Sequence, residues 1–215
     1  MKKLLLLTAT LASALPFAAQ AESNFQTGTA ALTATAHVNF TVTVPKVLFL
    51  QVGTGTSYAT NATQNTMTFA VPAGNVGNGT AVVPTGGDLP SGAGVTIRVL
   101  ANSGNVTLTD ATTGPLSSGV VGNPTIPWSA ITVTPGALAT TTTGFTNAAI
   151  AHPPFNTAAA GGASATATTL TATNGLVLQE GSWTYAYANT ATLPAGTYGA
   201  TAANNGVVTY TATAP

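Results

Sequence analysis

The sequence predicts an all-β protein, an antiparallel β-sandwich of about ten short strands. Three observations carry this. Apolar residues alternate with Thr, Ser and Asn through many short runs, the period-two pattern of half-buried strands. The runs are punctuated by turn formers, with 23 Gly and 13 Pro in 215 residues. No stretch has the 3.6-residue period and caps of an amphipathic helix.

The most regular stretch is Ala31–Val52. Leu32, Ala34, Ala36, Val38, Phe40, Val42 and Val44 fall on one face; Thr33, Thr35, His37, Asn39, Thr41 and Thr43 fall on the other. Pro45 cannot donate to a ladder, so the strand breaks or changes sheets there. Val47–Leu50 is apolar on both faces, as a strand through a core would be. Further strands are expected at Thr66–Val71 and Thr80–Val83, each stopped by a proline. Gly94–Ala101 and Asn105–Thr109 flank Asn102-Ser103-Gly104, the clearest hairpin pattern in the chain, with Val95, Ile97 and Val99 toward the core. Ile126–Thr134 follows. Pro135–Gly162 reads as a long loop, which is either functional or conceals an element. Ala163–Thr173 alternates Ala and Leu with Thr. Leu176–Gln179 and Trp183–Ala188 read as strands around a turn at Glu180-Gly181. Thr197–Ala200 and Gly206–Ala214 close the chain.

Residues 1–21 have the form of a cleaved signal peptide. Lys2 and Lys3 precede an apolar run from Leu4 to Phe17, and Ala19-Gln20-Ala21 is a cleavage triplet. The mature chain from Glu22 to Pro215 then forms a single domain. No later run is long and apolar enough for a membrane-spanning helix. There is no cysteine, so the core must hold an exported chain without disulfides. Leu193-Pro194-Ala195-Gly196-Thr197 resembles a sortase signal with its last residues out of order, and reads as a turn.

Charge is scarce. Beyond Lys3 the basic residues are Lys46 and Arg98, and the acidic ones are Glu22, Asp88, Asp110 and Glu180. This excludes the basic patches that nucleic acids and anionic membranes require. A surface so poor in charge also lacks a common defence against association.

The sequence holds no pattern that points to catalysis, metal or cofactor binding. His37 and His152 are the histidines available as bases, and no Ser lies in a nucleophile elbow. Asp88, Asp110 and Glu180 are the carboxylates available for glycoside hydrolysis, and two of them lie in Gly-rich turns. No zinc or calcium spacing and no phosphate-binding Gly loop is present. The expectation is a non-enzyme without a cofactor. Aromatic residues offer one binding pattern: Trp183, Tyr185 and Tyr187 line one face of a strand and, with Trp128, Tyr198 and Tyr210, would stack on a sugar if exposed. If that face is core, they pack instead.

Ala195-Gly196-Thr197-Tyr198-Gly199 followed by Val207-Val208-Thr209-Tyr210-Thr211-Ala212 resembles the closing strands of bacterial secreted Ig-like β-sandwiches, the pilin-like and spore-coat-like surface subunits. The usual Cys pair of such pilins is missing. The resemblance implies an Ig-like sandwich and a cell-surface setting. It also raises a crosslink between Lys46 and an Asn, promoted by Glu180 or Asp110, against the plainer reading of Lys46 as a solvated bend residue.

Together these observations lead to an exported, non-enzymatic structural or adhesive protein of the periplasm, cell surface or extracellular space. Its partners would be other copies of itself or surface glycans. In the first case Leu32, Val38, Phe40, Val42 and Val44 form an assembly strand that completes a neighbour's sheet, unless that strand is simply the first of its own sandwich. The alternative is a carbohydrate-binding module using Trp128, Trp183, Tyr185 and Tyr187. A small outer-membrane barrel would also alternate, but needs a more lipophilic face.

Overall fold

The computed structural model describes residues 23–56 and 58–215. The signal peptide expected over 1–21 lies outside the described residues. The chain divides into two units, Met1–Val44 and Pro45–Pro215.

The second unit is all-β. Its first sheet has the order β1 (Leu48–Val52), β4 (Gly94–Ala101), β10 (Val177–Tyr187), β6 (Ile131–Gly136), every pair antiparallel. The two-residue β7 (Thr146–Asn147) runs parallel to β10. The second sheet centres on β5 (Val106–Thr112). On one edge it pairs with β11 (Thr209–Thr213), and on the other with β8 (Gly162–Ala163) and β9 (Thr168–Leu170). A small separate ladder joins β2 (Met67–Thr68) to β3 (Thr85–Gly86). Helical structure among the described residues is limited to three 3-10 turns of three residues each. No described helix is long and apolar enough to cross a membrane.

The two main sheets face each other over one core. Val95, Ile97, Val99 and Ala101 of β4 and Val177 and Trp183 of β10 meet Val106 and Leu108 of β5. A second cluster, Val82, Trp128, Ile131 and Tyr187, fills the far end of β10. Burying these side chains is the dominant stabilising contribution, at ~1.5–3 kcal/mol for each large apolar group.

Several expectations are corrected. Residues 31–44 form no strand, because a strand exists by pairing and no described backbone pairs with them. Leu48 is exposed and β1 lies at an edge, so Val47–Leu50 does not run through the core. β4 and β5 are not a hairpin. Both edges of β4 are already taken by β1 and β10, so the chain crosses at 102–105 to the opposite sheet, and the two strands meet face to face. Glu180-Gly181 is no turn but the middle of an eleven-residue strand. Gly181 is there because a Cβ would lie 2.3 Å from the Ala148 carbonyl oxygen and 2.9 Å from that of Gly136. Trp128–Ala130 is a 3-10 turn leading into β6, and Thr197–Ala200 is not a strand.

Candidate functional site

The first unit is described from Ser23 to Val44, and every residue of that stretch is exposed. Its apolar face is open to solvent: Phe40 is 89% exposed, Val42 86% and Val38 75%, with Leu32 and Val44 also exposed. The alternation is therefore present without the sheet it implies. Water around five large apolar side chains is costly, at the same ~1.5–3 kcal/mol each that their burial would return. A contiguous apolar strip of this kind marks an interaction surface.

The second unit has an open edge in β11. One side of this strand pairs with β5, and no described residue pairs with the other. Its inward residues Tyr210, Ala212 and Ala214 pack on the core but stay only partly buried, as do Leu50 and Val52 of β1. Its outward residues Thr209, Thr211 and Thr213 are exposed. Thr211 and Thr213 face Thr109 and Thr107 across the ladder, a row of hydroxyls on one face. The chain just ahead of β1 is clamped. Asn102 Nδ2 donates to the Pro45 carbonyl at 2.8 Å, its Oδ1 accepts from the Val47 amide at 2.7 Å, and Lys46 Nζ donates to the Pro215 carbonyl at 3.2 Å. Lys46 is thus exposed, which corrects the buried setting its crosslink would need.

Behind β11 lies a polar cluster in the core. Asp110 is 1% exposed, and neither of its carboxylate oxygens has a hydrogen-bond partner. The Ser164 hydroxyl beside it accepts from the Asp110 amide at 3.2 Å. Burial pushes the Asp110 carboxyl up to about 6, which Ser164 and the Asp110 amide only partly offset. Tyr210 shares a 2.8 Å hydrogen bond with His152 Nε2. His152 sits edge-on against Phe155 and Trp183, and burial pushes its imidazole down to about 4. Tyr185 lies beside Tyr210 and Asp110, with its phenol pushed up to about 12 by burial.

On the outer face of the first sheet, Gln51, Arg98 and Glu180 stand in register across β1, β4 and β10. Arg98 donates to Glu180 Oε2 through Nε at 2.9 Å and to Gln51 Oε1 through Nη1 at 2.9 Å. Its Nη2 donates to the Thr142 hydroxyl at 2.8 Å, and its guanidinium lies over the Phe145 ring. Burial alone would raise the Glu180 carboxyl; the Thr142 hydrogen bonds and Arg98 outweigh it and hold it below the ordinary range. This network straps the 137–147 segment, which ends in β7, onto the sheet.

The aromatic strip is assembled but turned inward. Trp183 is fully buried with Nε1 donating to the Ile150 carbonyl, Trp128 is buried with Nε1 donating to the Gly114 carbonyl, and Tyr187 is buried in the second cluster. Trp183, Tyr185 and Tyr187 do share a strand face, and that face is core. Beside it, Trp128, Phe155 and His152 line an open cleft of about 370 Å³. His37 is exposed on the ribbon, and His152 is partly buried against Phe155, Trp183 and Tyr210. The described residues hold no group of three or more potential metal ligands. The Asp110 cluster was within reach of the sequence, because Asp110 shares the parity of Val106 and Leu108.

The fold and these features define an all-β protein with two main sheets and an exposed apolar ribbon. The chain matches no protein-family model, no curated protein and no solved structure.

Proposed function

We propose that this is an exported, non-enzymatic structural protein of the cell surface or extracellular space, which assembles with copies of itself by strand addition. The observation that carries this is the ribbon: from Ala31 to Val44 it has the two-faced pattern of a strand and none of the burial. Strand addition supplies both missing parts, a backbone ladder and a covered apolar face. The absence of charge from 23–44 removes the usual defence of an unpaired strand against such pairing.

The strand order supports the finer, Ig-like reading. In such sandwiches four strands take the order A-B-E-D and face a sheet of C, F and G. Here β1, β4, β10 and β6 fall in the first order, and β5 with β11 in the places of C and F, each in its turn along the chain. The glycan-binding alternative is weaker, because Trp183 and Tyr187 are committed to the cores and Trp128, although it lines the open cleft, is only 7% exposed.

The test is sizing chromatography with negative-stain microscopy on the chain from Glu22, beside one lacking residues 22–44. Filaments or large oligomers from the first and a folded monomer from the second are expected. A clean monomer from the intact chain overturns the proposal.

A further inference from the structure

We infer that the turn carrying Val120 and Val121 is a docking knob, and that it seats in the open cleft beside Trp128 and Phe155 on a second copy of this chain. The inference rests on the self-assembly reading, but the contact is head to tail and pairs no strands.

The knob is built to hold two apolar side chains in water. At its base Leu116 and Ile126 form an antiparallel bridge, with amide-to-carbonyl hydrogen bonds of 2.8 and 2.9 Å, and both pack against the second core cluster. Above them the Ser117 and Ser118 hydroxyls accept from the Gly119 and Val120 amides at 3.0 and 3.3 Å, and Asn123 Nδ2 donates to Ser118 Oγ at 3.1 Å. The tip is a β-turn from Val120 to Asn123, closed by the Asn123 amide on the Val120 carbonyl at 3.2 Å, with Gly122 at φ 87° in its third position. Turn tips ordinarily carry Gly, Asn, Asp, Ser or Pro. This one carries Val120 at 60% exposure and Val121 at 101%, so the knob does not reach the cleft of its own chain. A loop tied in this way loses little further conformational freedom on docking.

The cleft is the counterpart. Buried Trp128 and Ile131, half-buried Val133, His152 and Phe155, and the exposed Ser129 and Thr157 line it. Its ring nitrogens are engaged elsewhere: Trp128 Nε1 donates to the Gly114 carbonyl, and His152 Nε2 is bound to Tyr210. What remains for a ligand is mostly ring and aliphatic surface. The volume of about 370 Å³ lies within the ~300–1,000 Å³ of sites that take up a small ligand, more than two valine side chains need. Neither side brings a charge. Residues 117–123 contain no Asp, Glu, Lys or Arg, and burial keeps His152 neutral above about pH 4, so no ion is desolvated on docking. A knob and a pocket at different places on one surface make a heterologous contact, which repeats from copy to copy into open chains instead of closing a dimer. Two valines bury far less than the ~1,200–2,000 Å² of a free-standing interface, so the contact acts between copies that are already held together.

The chain has no cysteine, so single cysteines report contacts without background. Val121→Cys in a tagged full-length chain is co-produced with an untagged chain carrying Ser129→Cys or Thr157→Cys. Mild oxidation of the assemblies should trap a mixed dimer with at least one of these, and none with Thr107→Cys on the outer face of the second sheet. Val121→Asp charges a fully exposed side chain and leaves the fold intact, and Ser129→Trp fills the cleft. Each should raise the concentration at which assembly begins by roughly tenfold or more. The double variant should be no worse than the poorer single one, because both remove the same contact. Unchanged assembly, losses that add, or crosslinks only between two Val121→Cys chains or only to Thr107→Cys overturn the contact and leave strand addition standing. Trapping of the cleft cysteines by Thr41→Cys and not by Val121→Cys makes the ribbon the occupant and overturns it likewise. A chain that never assembles overturns both.

Discussion

Asp110 and Tyr210 stand directly opposite each other across β5 and β11, with the carboxylate buried and unpartnered and the phenol bound to His152. The Asp110 carboxyl lies near 6 instead of 3.8, so its contribution to stability is complete below about 3.8 and is lost as pH rises through 6. Asp110→Asn, which cannot ionise, should therefore be more stable than the parent at pH 8, by on the order of 2 kcal/mol. The gain should vanish below pH 4. Urea unfolding at the two pH values measures this; a destabilised Asp110→Asn at pH 8 would contradict it.

His152 has the opposite sign. Its imidazole is pushed from 6.5 to about 4, so its contribution is complete above 6.5 and is lost as pH falls through 4. Between pH 4 and 6 the two groups oppose each other, and the parent's melting temperature should change little. In Asp110→Asn the histidine acts alone, and a melting series should then fall steadily from pH 6.5 to 4.

Glu180 neutralises Arg98, and the Glu180 side chain is fully buried. Glu180→Gln leaves a guanidinium without its counter-charge and should cost about 3 kcal/mol or more. It should also loosen the 137–147 strap, read as faster proteolysis there. The double variant Arg98→Met with Glu180→Leu should recover much of the loss in chemical denaturation.

Gly181→Ala places a Cβ against the Ala148 and Gly136 carbonyls and should destabilise by about 1–3 kcal/mol. Gly74, with open space around its missing Cβ and no positive φ, is the contrast. Gly74→Ala should gain about 0.4–1 kcal/mol by stiffening the unfolded chain.

Trypsin should distinguish the two basic sites beyond Lys3. Lys46 is exposed, while Arg98 is held by Glu180, Gln51 and Thr142. Native digestion of the dispersed protein should cut after Lys46, leave a fragment beginning at Val47, and spare Arg98. Mass spectrometry reads the outcome, and early cleavage at Arg98 would contradict the buried network.

Much of the fold is legible in local pattern. Alternation alone places Val95, Ile97 and Val99 in the core, and β4 begins and ends where the pattern does. The faces of Trp183, Tyr185 and Tyr187 follow from the same parity. Local pattern misleads where it meets long-range pairing. Asn102-Ser103-Gly104 favours a tight turn, yet β1 and β10 take both edges of β4 and force the chain across to the other sheet. Glu180-Gly181 has turn composition, but the ion pair with Arg98 and the close approach of Ala148 hold it straight.

By itself the sequence determined the all-β class, the strand faces and the amphipathic character of Ala31–Val44, because period-two burial is written residue by residue. Only the tertiary structure decided that the aromatic strip is core, that Asp110 is stranded behind β11, and that this edge is open. Those properties depend on which strands pair across tens of residues, and pairing is settled by competition for edges that alternation cannot rank.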